Sequence, residues 1–150
     1  DPNAKYGHAL RILSWDAALD VIKDNWVFGV GEARQEKALV DVYIMKGYVF
    51  PAIEKFNSHN QYLDFLLGGG IICLGLFVTG FIDLLIRSLK DSNFPLVVLL
   101  LAFSCIALFE NLLSRYHGMI LLSVFVSVLL PGKNLFKGPV STMEGENNGY

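Results

Sequence analysis

The sequence predicts an all-α piece of a polytopic membrane protein. Residues 1–61 form a helical region, residues 62–140 supply two or three transmembrane helices, and 141–150 make a polar tail. Three observations predict this. Hydrophobic residues fill 53% of the 150 positions, above the usual range for a soluble domain. Apolar runs begin at Tyr62, Phe94 and Met119, separated only by short charged or glycine-containing breaks. Before Tyr62 the chain is charged and its apolar residues recur with helical spacing. A net charge of -2 without a basic patch argues against a nucleic-acid partner. The chain opens Asp1-Pro2-Asn3, with neither Met nor an apolar signal segment, so the expectation is the C-terminal part of a longer membrane protein.

From Ala9 to about Asp24, Leu10, Leu13, Ala17 and Val21, and Leu10, Ser14 and Ala18, fall on neighbouring helical rows, which predicts an amphipathic helix. Arg11 and Trp15, at i and i+4, share a face. Either the guanidinium lies over the indole as a cation–π pair, or Arg11 is presented to an anion with Trp15 at the membrane interface. Asn25 to Glu32 ends the helix. Gly29-Val30-Gly31 reads as a tight turn, or as backbone amides offered to a phosphate; without a third glycine or a preceding strand it is not a dinucleotide fingerprint. Residues Glu32 to Lys46 predict a second, more charged helix, stopped by Gly47.

The run from Tyr62 to Ile86 is about 25 residues, enough to cross a hydrocarbon core of about 30 Å. Gly68-Gly69-Gly70 are expected to permit close helix approach there. A second span is expected over 94–113, with Pro95 harmless at its start. The third run, 116–130, crosses only if flanking residues are recruited or the bilayer thins. Basic residues Arg87, Lys90, Lys133 and Lys137 orient these runs, and put the His59 end and the Glu110–His117 turn on the same outer face.

That sidedness selects the candidate chemistry. His59 titrates near neutrality and sits at the lip of the first apolar run, where it acts as a proton acceptor or is simply a surface histidine. Asn60 orients a substrate or caps the following helix. Tyr62 is an expected interface aromatic. Glu110 and Arg115 form a structural pair, or Arg115 faces an anionic headgroup with Glu110 holding it. Cys73 and Cys105 lie in apolar runs and read as packing residues. His8, His59 and His117 lack metal-ligand spacing and no aspartate cluster is present, so neither metal nor cofactor is expected. Arginines would then offset the charge of a diphosphate.

Arg11-x-x-x-Trp15, Asn25-Trp26-x-Phe28-Gly29-Val30-Gly31, Ser58-His59-Asn60-Gln61-Tyr62-Leu63 and the glycine-rich apolar helix, in that order, resemble the C-terminal part of the O-antigen ligase/polymerase family. Phe109-Glu110-Asn111-x-Leu113-x-Arg115-x-x-Gly118 is similar to the end of one subgroup of it. The resemblance covers roughly Arg11 to Leu130, and Trp26 stands where the family often has a small residue or proline. It implies a metal-independent GT-C-type glycosyltransferase of the bacterial inner membrane. Its periplasmic face would move a glycan from undecaprenyl diphosphate to a lipid A core, a growing glycan or a protein side chain, with membrane lipid around it. It implies His59 as general base and Arg11 as a diphosphate ligand; Asn60 and Arg115 are further candidate substrate ligands, with Trp15, Gly31 and Glu110 in support. Two other readings compete: a transporter with Asp64, Asp83 and Glu110 lining a polar path, or a non-catalytic membrane subunit. Most ionisable groups fall near the ends of the apolar runs, which favours the enzyme.

Overall fold

The structure, a computed structural model, describes residues 7–130. The polar tail expected at 141–150 lies outside them. Among the described residues the chain is all helical: α1 (His8–Asn25), a 3-10 turn (Glu32–Arg34), α2 (Gln35–Lys46), α3 (Val49–Ile53), α4 (Gln61–Lys90), α5 (Phe94–Ala107) and α6 (Tyr116–Leu129).

The amphipathic rows of α1 are buried as their spacing dictates: Leu10, Ser14, Ala17, Ala18, Val21 and Ile22 face inward. Ala17, Ala18, Val21 and Ile22 pack with Leu39, Val42 and Tyr43 of α2, and with Leu67 of α4, into one core. Burying a side chain such as Leu67 is worth about 1.5–3 kcal/mol. Lys46 braces α2 on α1, pairing with Asp16 and Asp20, while Tyr48 Oη donates to Asp16 at 2.8 Å. Gly47 ends α2 in the left-handed region, φ 71°. The short helix α3, not expected from the sequence, follows the Gly47 stop and contains Pro51.

Helix α4 departs from the expected straight span. Gly70 takes φ 64° and ψ -160°, a conformation open in practice only to glycine, and breaks the helix. The arms fold toward each other: the Phe65 and Phe77 ring centroids are 4.6 Å apart, although a straight helix would separate twelve residues by about 18 Å. Phe81 stacks on Phe77 at 5.8 Å and meets Phe103 of α5 at 6.3 Å, filling the inside of the elbow.

On the outside lies the Trp26–Gly31 loop, and it absorbs the backbone groups that the break frees. Val30 N donates to Leu67 O at 2.7 Å and Gly31 N to Gly68 O at 3.0 Å; Ile71 N donates to Trp26 O at 2.8 Å. A Cβ on Gly70 would lie 2.1 Å from Val27 O, so the third glycine serves a loop approach as well as a bend. The near arm, carrying Leu63, Leu66 and Leu67, belongs to the α1–α2 core. The far arm, from Ile71 to Lys90, is about 20 residues or 30 Å.

Helices α5 and α6 have 14 residues each, about 21 Å, and α5 stops at Ala107 short of the expected 113. Pro95 stands in the first turn of α5, as its ring permits. Asn93 caps α5 by accepting from Leu96 N, and its amide donates to Leu129 O at 2.6 Å, tying the end of α6 to the α4–α5 turn. Among the described residues one helix, α4, is long and apolar enough to cross a membrane.

Candidate active site

The site is assembled from three distant segments meeting on one carboxylate. Arg11 on α1 places Nη2 3.3 Å from Glu110 Oε1. His59, in the link before α4, places Nδ1 3.7 Å from Glu110 Oε2. Arg115, ahead of α6, places Nη2 3.8 Å from the same oxygen. One carboxylate against two guanidiniums leaves net positive charge. Arg115 is the most open of the group, with 63% of its side chain exposed.

His59 is held by its backbone. It has φ 46°, in the left-handed region that non-glycine residues enter only where the surroundings impose it. Its N–H donates to Asn57 Oδ1 at 3.1 Å, and Asn60 then caps α4, accepting from Tyr62 N at 2.9 Å and Leu63 N at 3.1 Å. Asn60 Oδ1 is therefore committed to the helix start, and the residue acts on the site by fixing the chain direction after His59. The ring packs beside Phe56, centroids 5.5 Å apart.

With Nδ1 toward Glu110, Nε2 is buried and has no hydrogen-bond partner. Burial lowers the imidazole pKa below its ordinary 6.5; nearby Glu110 works against that shift, while Arg11 and Arg115 reinforce it. The neutral ring therefore carries an unpaired acceptor at neutral pH.

Trp15 is half-buried. Its ring meets Phe109 at 6.4 Å and its Nε1 is buried without a partner, while the Arg11 guanidinium goes to Glu110. Tyr62 likewise turns inward, its hydroxyl 2.8 Å from Ser104 Oγ. Gly31 lies at the α4 elbow, with φ 86°. The amides of Val30 and Gly31 are spent on Leu67 and Gly68, which removes the reading of this turn as a phosphate cradle.

Sequence reasoning missed what brings Glu110 to His59. Asp64 accepts from Asn111 Nδ2 at 2.8 Å and from Ser114 Oγ; Gln61 Oε1 accepts from Leu113 N at 2.6 Å. Ser58 Oγ donates to Asn60 O at 3.0 Å and lies 3.4 Å from Asn111 Nδ2. These buried polar groups clamp the 108–115 turn onto the start of α4. The signal was a spacing of three, Gln61/Asp64 and Asn111/Ser114, at the rims of apolar runs. Replacing Asn111 by Ala leaves part of Asp64 unsatisfied and is expected to cost about 1–3 kcal/mol, read as earlier thermal unfolding in detergent.

Among the described residues there is no cluster of His, Cys, Asp and Glu suited to a metal. No curated protein and no solved structure matches the chain. Residues 6–78 match the sequence profile of the O-antigen ligase family, a stretch that contains Arg11, the loop at the elbow, His59 and Asn60 but not Glu110 or Arg115. That family is one of ligase- and polymerase-type enzymes of lipopolysaccharide assembly, associated with membranes. Over residues 6–78, just under half of its length, the chain is thus similar to the O-antigen ligase family.

Proposed function

We propose that the chain carries the acceptor-activating part of a periplasmic glycosyl transfer site, in which a glycan leaves undecaprenyl diphosphate for an acceptor hydroxyl on a lipid A core or a growing glycan. The observation that carries this is the convergence of Arg11, His59 and Arg115 on Glu110.

In this reading His59 Nε2 takes the proton of the acceptor hydroxyl as its oxygen bonds to the anomeric carbon. The bond from that carbon to the diphosphate oxygen breaks, and the lipid diphosphate departs with the electron pair. Neutral His59 suits the first task, because a base must be unprotonated at working pH. Arg11 and Arg115 suit the second, offsetting charge that develops on the departing oxygen. Glu110 orients the imidazole and holds both arginines within reach. The far arm of α4 crosses the inner membrane, with the elbow at the periplasmic interface and Arg87 and Lys90 at the cytoplasmic end. The near arm then stays with the periplasmic helices whose core it shares.

The test is transfer from a defined lipid-linked glycan by the full-length protein, at matched amounts in the membrane. Arg11→Ala is expected to lose about 10²–10³-fold in rate, and Arg11→Lys to recover part of it, since an ammonium keeps the charge without the fork. Unchanged transfer by Arg11→Ala would overturn the diphosphate role.

A further inference from the structure

We infer that the Trp26–Phe28 corner of the loop anchors the protein in the lipid bilayer, with its indole and phenyl rings in the boundary between headgroups and acyl chains. The inference rests on the far arm of α4 crossing the membrane and goes beyond the transfer chemistry. Trp26 is 58% and Phe28 75% exposed, although both are large apolar side chains. They stand on a loop that is not free to move away: Trp26 O accepts from Ile71 N at 2.8 Å, and Val30 and Gly31 are bonded to the opposite lip of the break. The rings are therefore fixed at the start of the far arm, whose first residues, Ile71 and Ile72, are themselves 45% and 48% exposed.

The surface is thus continuous from the loop onto the arm. From Asn25 to Gly31 it carries no charged residue. The arm's own length decides the depth: about 30 Å separates Ile71 from Lys90, matching a hydrocarbon core, so the end marked by Trp26 falls at its edge. Amphipathic indoles collect at that level, and the phenyl ring gains by leaving water. A lipid surface fits this patch better than a soluble partner because the patch is set by the end of an apolar helix.

The experiment uses the full-length protein in vesicles whose phospholipids carry bromine on the acyl chains near the headgroup. With Trp15→Phe, and Phe at every tryptophan outside this sequence, Trp26 is the sole tryptophan. Its emission is expected to be blue-shifted, quenched by the bromolipid and insensitive to aqueous iodide. Leu76→Trp, on an exposed position of the far arm and in a background lacking Trp26, reports whether the arm itself is in lipid. Bromine quenching at Leu76→Trp but iodide quenching at Trp26 overturns the anchor and leaves the crossing standing. No quenching of Trp26 by either agent means a protein surface covers it, which also overturns the anchor. Loss of bromine quenching at both positions overturns the crossing and the anchor together. The difference spectrum between wild type and Trp26→Phe answers the same question independently, should Trp15→Phe fold poorly.

Discussion

Transfer by the His59→Ala protein is expected to fall by about 10²–10⁴-fold, the usual worth of a positioned general base, with the protein still present in the membrane. The fold has little reason to object. His59 occupies a left-handed backbone conformation, φ 46°, that favours glycine, so His59→Gly should be more stable than His59→Ala while losing the same activity. A protein that stays folded and goes silent separates chemistry from packing; wild-type transfer by either variant would sink the assignment of the base.

The pH profile adds a direction. Burial depresses the His59 pKa, so the acid limb of kcat/KM is expected below 6.5. Glu110 opposes the depression, so Glu110→Gln should move the limb to still lower pH. Arg11→Gln should move it up, because one cation fewer repels the imidazolium. The same group couples to stability: folded His59 binds its proton less readily than the unfolded chain does. Its contribution is complete above about pH 6.5 and is lost as the pH falls.

Gly70→Ala is expected to cost about 3 kcal/mol or more. Two effects add. The backbone at φ 64°, ψ -160° admits a side chain only under strain, and the new Cβ would lie 2.1 Å from Val27 O and 2.6 Å from Phe28 N, backbone atoms that cannot swing aside. Gly75→Ala is the control on the same helix: a Cβ there meets nothing within 4 Å, and its stability should be unchanged or higher. Thermal unfolding in detergent reads both. Equal midpoints for the two variants would show that the elbow is not required by the fold.

The helices were legible where the information is local. The α1 rows, the stop at Gly47 and the start at Pro95 follow from spacing, backbone freedom and a missing N–H. The nearness of His59 and Glu110 was legible too, because the basic residues put both on one face before any contact was known. The elbow was not. Three adjacent glycines make a bend permissible without saying which one breaks, and Gly70 is chosen by a loop some forty residues earlier in the chain. The Trp15–Phe109 contact escaped for a related reason: Phe109 is far along the sequence, so no local rule pairs the two rings. The Asp64 clamp escaped because each residue, taken singly, is an ordinary polar group at a helix rim.

The loop bonded across the break has a further consequence for how the protein meets its bilayer. With the loop in place, the proposed crossing sets about 20 residues of α4 against a hydrocarbon core of about 30 Å, and the lengths agree. Pulled away, the loop leaves the carbonyls of Leu67 and Gly68 to the ordinary helical ladder, and the 30 residues of α4 would straighten to about 45 Å. A helix that long tilts or thickens the membrane around it, and would carry His59 out of the headgroup layer. On the proposed crossing, the six-residue loop would then be a thickness gauge, matching the protein's hydrophobic length to its membrane while holding His59 at the surface.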